Sequence, residues 1–211
     1  MNLILAISLF ILAYLLGSIP SAVWIGKIFY KIDVRDHGSG NAGFTNALRV
    51  LGLKAGIPVL LIDIAKGFLA VHIFTLFPQE YVNDFNRQLF PIIFGLFALT
   101  GHIFPVLAQF RGGKGVATGA GLLLGLFPLG AAFTLAVFLL ILFSSRYVSL
   151  GSIIASLSFP IWVLIWYPGQ NISLLVFSFL LTCVILFTHR NNIRRLINGK
   201  ENKIYFRKKT R

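Results

Sequence analysis

The sequence predicts an all-α integral membrane protein of about seven transmembrane helices, some of them short, with its functional segments in cytoplasmic loops. Three observations carry that expectation. Hydrophobic residues make up 57% of the 211, and the mean hydropathy is +0.84, which is more apolar surface than a water-soluble chain of this length can hide. Charged residues make up only 12%, about half the share found in soluble domains. Several apolar runs approach or exceed the roughly 18 to 20 residues that a helix needs to cross a bilayer. We read residues 1–211 as a single membrane domain with a basic cytoplasmic tail over about 190–211.

The first element is the run NLILAISLFILAYLLGSIPSA. It looks like a signal peptide, yet no basic residue precedes its apolar stretch, and Lys27 and Lys31 follow it. It is therefore expected to remain as a first span near 3–26, with the N-terminus outside. Further apolar spans fall near 55–77, 89–108, 116–143, 150–167 and 171–188. Six crossings would leave both termini on one side, and charge argues against that. The loop 27–54 holds Lys27, Lys31, Arg35, Arg49 and Lys54, and the segment from 190 onward holds nine Lys and Arg. The loop 78–88 holds only Arg87, against Glu80 and Asp84. Positive charge on the cytoplasmic side then requires an odd number of crossings.

The run 116–143 supplies the extra crossing. Its 28 residues are too many for one span, and Pro128 stands near its middle, where it removes a backbone donor and breaks a helix. Two short helices, about 116–127 and 129–143, would return the chain to the inside and place Arg146 there. This order puts seventeen of the nineteen Lys and Arg in the cytoplasm, all but Arg87 and Lys66.

The net charge of +13 is spread over short segments between apolar runs and in the tail. That pattern fits topology and an anionic membrane surface, so no nucleic-acid partner is expected. Arg207, Lys208, Lys209 and Arg211 are expected to meet membrane lipids. The one cysteine, Cys183, cannot form an intramolecular disulfide.

Three polar segments interrupt this apolar chain. The first is GSGNAGFTN, residues 38–46, followed by Arg49. Its glycines (Gly38 and Gly40 among them) permit positive φ and can turn consecutive N–H groups toward an anion. Ser39, Asn41, Thr45 and Asn46 add neutral donors, and a helix starting near Thr45 would place Arg49 one turn on.

The second segment is GHIFPVLAQFRGGKGVAT, residues 101–118. Arg111, Gly112, Gly113, Lys114 and Gly115 stand directly before an apolar helix beginning near Val116. Backbone donors, a helix N-terminus and two cations make a phosphate site. It is not a nucleotide-hydrolysing loop: Ala108 stands where that motif needs glycine, and Gly115 where it needs Ser or Thr.

The third is HRNNIRRLINGKE, residues 189–201. His189, Asn192 and either Arg194 or Arg195 would share a helix face, where a histidine beside an asparagine can position or deprotonate a hydroxyl. The segment SSRYVSLGS adds Ser144, Ser145, Ser149 and Ser152, residues that usually cap helices. Asp63 and Lys66, three apart inside a span, are expected to pair with each other. His72 is expected to be packed in its span, and His102 to hold structure near the second segment.

Absences narrow the chemistry further. There are only six acidic residues, and within the three segments only Glu201 is acidic, so a carboxylate-built metal site is not expected. No histidine has an aspartate five positions later, and no G-x-S-x-G nucleophile motif occurs. Anion binding, hydroxyl positioning and a membrane location are what remain.

The three segments together, with LGSIPSA at 16–22, DIAKG at 63–67 and SLGS at 149–152, closely resemble the motifs of the bacterial acyl-phosphate-dependent glycerol-3-phosphate acyltransferases. The resemblance implies a seven-helix enzyme of the bacterial inner membrane that acylates the 1-hydroxyl of glycerol 3-phosphate from acyl phosphate. No metal and no cofactor are expected, and the enzyme that makes acyl phosphate is a candidate partner. His189, Asn192 and Lys114 are expected in catalysis; either His189 or a substrate phosphate can take the hydroxyl proton, and the resemblance implies the phosphate, with His189 and Asn192 orienting the glycerol. Gly38, Ser39, Gly40, Asn41, Thr45, Asn46, Arg49, Arg111, Gly112, Gly113, Gly115 and Ser149 are assigned to substrate binding. The rival reading is a membrane transporter of phosphate or organic anions. That class favours inverted repeats and midplane sites, and neither is seen in the sequence.

Overall fold

The computed structural model describes residues 3–77, 82–167 and 172–204. The basic end with Arg207, Lys208, Lys209 and Arg211, and Glu80 of the second loop, lie outside the described residues. Every regular element among the described residues is helical. The helices are α1 (Leu3–Gly17), α2 (Ser21–Tyr30), α3 (Phe44–Leu51), α4 (Leu53–His72), α5 (Asp84–Ile103), α6 (Val116–Leu126), α7 (Pro128–Ser145), α8 (Val148–Trp166), α9 (Ile172–Thr188) and α10 (Arg190–Ile197).

Four spans, built on α4, α5, α7 and α8, are long and apolar enough to cross a membrane unaided. The pairs α1–α2, bent by 46°, and α9–α10, bent by 62°, qualify as broken spans, and α6 is a shorter apolar helix. The overlong run 116–143 is indeed divided at Pro128. Phe127 leaves helical geometry at φ −142, as a residue before proline tends to do, and Pro128 opens α7.

The first span, expected near 3–26, is broken into two helices. The chain leaves α1 at Gly17, and Pro20, which cannot donate into a helix ladder, precedes α2. Pro58, Pro91 and Pro160 lie inside α4, α5 and α8 without ending them. Proline alone therefore does not mark the boundaries, in keeping with its tolerance in membrane helices.

The chain divides into two compact units, Met1–Pro128 and Leu129–Arg211. In the first, α1 packs on α5 and α4 on α6, along seams where glycine meets backbone. A Cβ on Gly17 would run into the carbonyl of Ala98, and one on Gly101 into that of Tyr14. A Cβ on Gly67 would strike the carbonyl of Thr118, and one on Gly121 that of Ile64. Helices in lipid gain from such approach because van der Waals packing, not water exclusion, joins them. Ala6, Leu9, Ala13, Phe74 and Phe94 fill one core of this unit, and Ala22, Val23, Val34, Ala47 and Val59 another.

In the second unit, α8 and α9 pack through Phe159 and Phe177, edge to face with centroids 6.2 Å apart. Thr182 on α9 donates to the carbonyl of Ser156 on α8 at 2.7 Å. Large apolar side chains such as Leu129, Leu140, Phe143 and Ile165 point outward, as the faces of helices solvated by lipid do.

Candidate functional site

The first unit holds the first two polar segments. Asn46, at the start of α3, is 1% exposed, and its amide organises the loop before it. Its Oδ1 accepts from the Ser39 amide at 2.8 Å and the Ser39 hydroxyl at 3.1 Å, and its Nδ2 donates to the carbonyls of Val34 and His37. Gly38 and Gly40 take φ of 63° and 71°, so two of the segment's glycines have the left-handed conformation inferred for them. Helix α3 starts at Phe44, one residue before the expected position. Asn41 and Thr45 are partly exposed and Arg49 is exposed one turn further on.

Asp33 and Arg35 brace this loop. Arg35 meets Asp33 in a two-pronged pair, Nε to Oδ1 at 3.0 Å and Nη2 to Oδ2 at 2.7 Å, and its Nη1 donates to the carbonyl of Ala108 at 2.8 Å. A single guanidinium thus ties the first segment to the second. The Arg35 guanidinium holds the Asp33 carboxyl well below the usual carboxylate range, with a further contribution from Lys27 at 3.1 Å.

In the second segment the backbone turns back at Gln109 and Phe110, both at φ 58°, and again at Gly115, φ 84°. Left-handed geometry at a bulky residue is strained and persists only where surrounding structure holds it. The Phe110 amide bonds the Pro105 carbonyl at 2.8 Å, and the Arg111 amide bonds that of Ala108 at 3.2 Å. Gly112 and Gly113 serve a different need, close approach. A Cβ on Gly112 would collide with the carbonyls of His102 and Ile103, and one on Gly113 with the His102 imidazole. Arg111 is exposed, Lys114 is half-buried, and α6 begins directly after Gly115. A glycine turn with two cations at a helix start offers the kind of charge and donors that an anionic oxygen cluster requires.

Asp63 and Lys66 form the pair the spacing suggested, Oδ1 to Nζ 2.9 Å, both almost wholly buried. His102, near the start of the second segment, is buried and meets Gly112 through its carbonyl and Gly113 through its ring. His72, expected to be packed in its span, is instead exposed near the end of α4, with Nδ1 on the Phe68 carbonyl at 2.8 Å. The helix ends at His72 itself, so the ring has reached the edge of the packed region.

The second unit holds the third segment. His189 stands at the bend between α9 and α10 and is 2% exposed. Its Nδ1 lies 2.8 Å from the carbonyl of Ile185. A carbonyl can only accept, so Nδ1 carries the proton and Nε2 is the accepting nitrogen of the neutral ring. Asn192 is buried in the first turn of α10. Its Nδ2 donates to Glu201 Oε1 at 2.8 Å, Ser149 Oγ donates to the same oxygen at 2.9 Å, and Arg195 Nε donates to Oε2 at 2.7 Å. Of the two arginines considered, Arg195 is the one joined to Asn192, and a carboxylate joins them.

Glu201 is the residue that sequence reasoning passed over, although it was the sole acid in the segment. Burial alone would raise its carboxyl, but the bonds from Asn192, Arg195 and Ser149 outweigh that and hold it below the ordinary glutamate value. Ser144 and Ser145 bond carbonyls of the last turn of α7, and Ser152 bonds that of Val148, so these three serve their helices. Among the described residues no three His, Cys, Asp or Glu side chains converge as a metal site would require.

Comparison with known proteins gives this arrangement a family. The glycerol-3-phosphate acyltransferase family model matches residues 7–199. A glycerol-3-phosphate acyltransferase of Chlorobaculum tepidum is 41% identical over 227 aligned residues, covering 96% of this chain and 98% of that protein. One from Chlorobium phaeobacteroides strain BS1 is 42% identical over 221, covering 92% and 94%. Two crystal structures of PlsY (YgiH), an integral membrane glycerol 3-phosphate acyltransferase, are similar in fold. The glycerol 3-phosphate form has a TM-score of 0.83 at 37% identity, covering 95% of this chain and 96% of that one. The lysophosphatidic acid form has 0.80 at 36%, covering 95% of each. The chain belongs to the glycerol-3-phosphate acyltransferase family.

Proposed function

We propose that this protein transfers a fatty acyl group from acyl phosphate to the 1-hydroxyl of glycerol 3-phosphate at the cytoplasmic face of the bacterial inner membrane. The products are lysophosphatidic acid and inorganic phosphate, and the reaction opens phospholipid synthesis. The observation that carries this reading is the likeness, across 95% of the chain, to a solved protein in its glycerol 3-phosphate form. The side chains support it. Both substrates bear phosphate, and the glycine turn with Arg111 and Lys114 suits that group. His189 and Asn192 are fixed as a hydroxyl-orienting pair needs to be.

The 1-hydroxyl oxygen attacks the acyl carbonyl carbon, a new C–O ester bond forms, and the bond from that carbon to the phosphate oxygen breaks. Phosphate leaves with the electron pair. Acyl phosphate is already activated, so the protein need supply little beyond orientation and charge stabilisation. The hydroxyl proton passes to a substrate phosphate oxygen, whose second ionisation lies near pH 6, while His189 Nε2 and Asn192 orient the glycerol. No metal enters this scheme, and acyl phosphate must be supplied by the enzyme that makes it.

Purified protein given palmitoyl phosphate and glycerol 3-phosphate in EDTA should release phosphate and form acylated product. Absence of product would reject the donor or the acceptor. Product formation that requires added magnesium would reject the metal-free scheme.

A further inference from the structure

Below the glycine turn, within the first unit, lies a cluster of buried polar side chains that the proposed reaction leaves unused. Asp63 Oδ1 accepts from Ser21 Oγ at 2.8 Å, pairs with Lys66 Nζ at 2.9 Å and faces His102 Nδ1 at 3.6 Å. Lys66 Nζ also donates to the carbonyl of Ile19 at 3.1 Å, at the break between α1 and α2. Ionisable groups in the apolar part of a membrane protein are expensive and are kept where position matters.

The far side of the His102 ring carries the turn. A Cβ on Gly113 would collide with Nε2, and Cε1 and Cδ2 are close behind it. The Gly113 amide meanwhile donates to the His102 carbonyl at 3.1 Å. Ser21, Lys66, His102, Gly112 and Gly113 share in lining a cavity of about 10 Å³, room for about one water. The Asp63 carboxylate therefore faces one edge of the ring, at Nδ1, and the Gly113 backbone lies against the opposite edge, at Nε2. A cradle recognises an anion only when its parts are held within a fraction of an ångström of their places, and here the floor under the turn is a side chain beside a buried ion pair.

We propose that Asp63, Lys66 and His102 are positioning residues for phosphate recognition: the Asp63–Lys66 pair orients the His102 ring, and the ring sets the height of the Gly112–Gly113 turn under a substrate phosphate. This rests on the acyltransferase reading for its substrates. Acyl phosphate and glycerol 3-phosphate share the recognised chemistry, and separate Michaelis constants show which of them the turn serves.

The test is a set of kinetic comparisons on folded, detergent-purified variants. Gly113→Ala should raise KM for one of the two substrates about tenfold or more with a smaller change in kcat, the signature of lost binding. Adding His102→Ala removes the ring that the new methyl strikes, so the double variant should be no worse than His102→Ala alone, a non-additive result expected of groups in contact. Gly112→Ala is obstructed by backbone carbonyls, so His102→Ala should give it no relief. Asp63→Asn should raise the same KM and add nothing further in the His102→Ala background. His102→Gln, which keeps bulk and an amide for Asp63, should stay nearer the parent protein.

The proposal is overturned if the Gly113→Ala and His102→Ala penalties multiply, or if neither KM moves in His102→Ala and Asp63→Asn. If the unaltered protein does not acylate glycerol 3-phosphate, the functional reading falls separately. Inorganic phosphate as a probe of thermal stabilisation then reads the turn directly. Stabilisation lost in Gly113→Ala and recovered to the His102→Ala level in the double variant sustains the proposal, and equal stabilisation in all variants ends it.

Discussion

Two side chains at the residue scale illustrate how much one charged group can organise. Glu201 receives three donors on two oxygens. Hydrogen bonds to a charged group contribute about 1.5 to 3 kcal/mol, so Glu201→Gln should lower the unfolding free energy by about 2 kcal/mol, read as a fall in melting temperature in detergent. Activity should fall with it, since Asn192 is left with a neutral acceptor at most and Arg195 with none on the second position. The carboxyls of Glu201 and Asp33 both titrate below their ordinary values of 4.5 and 3.8. Their contribution to stability is therefore complete above those values and disappears as pH drops through the lower folded ones. Thermal stability should be flat near neutrality and fall in acid, and Asp33→Asn with Glu201→Gln should flatten that fall. An unchanged acid limb in the double variant would contradict this assignment. Lys114→Ala should reduce turnover about a hundred- to a thousandfold, the usual loss when a preorganised donor to developing charge is removed, and near-normal turnover would end the cradle reading.

The sequence displayed Lys114, His189 and Asn192 because glycine turns and a histidine beside a bilayer boundary are locally legible. Glu201 and Arg35 were not, because each also joins a partner far off in the chain: Ser149 is 52 positions from Glu201, and Ala108 is 73 from Arg35. Spacing rules see neighbours only.

At the scale of elements, the α4–α6 seam ties the glycine turn that precedes α6 to the buried ion pair on α4. It is formed by Gly67 and Gly121, each facing a main-chain carbonyl, and a carbonyl cannot step aside as a side chain can. Gly121→Leu should therefore destabilise the protein by about 3 kcal/mol, the upper part of the range for overpacking. Ala120→Leu next to it, on an exposed position, should have little effect. Equal melting temperatures for the two variants would show that the seam is not tight. The division of 116–143 at Pro128 was foreseeable because length and proline agreed there. The break between α1 and α2 was not, since the whole stretch reads as one apolar run and its proline looks like those that α4, α5 and α8 absorb.

For the whole molecule, the distribution of Lys and Arg is the strongest topological signal. It predicts that the segment between α7 and α8 faces the cytoplasm. Ser144 is exposed, and the native thiol, Cys183, is exposed as well and can be replaced. Ser144→Cys in a Cys183→Ser background should react with a membrane-impermeant maleimide in inverted vesicles and not in intact cells. Labelling from the outside alone would reverse the orientation. Helical class and membrane insertion were written in composition, since nothing else disposes of so much apolar surface. The grouping of helices into two units was not, because it depends on which glycine meets which carbonyl.

The carboxylate that fastens Asn192 also has a consequence in time. Translation adds Glu201 after Ser149, after Asn192 and after the last helix among the described residues. A chain ended at Lys200 keeps every one of the described helices and loses the clamp. Membrane insertion and completion of the site are thus separable: a variant truncated before Glu201 should still enter the bilayer and yet lack the carboxylate to which Asn192, Ser149 and Arg195 donate.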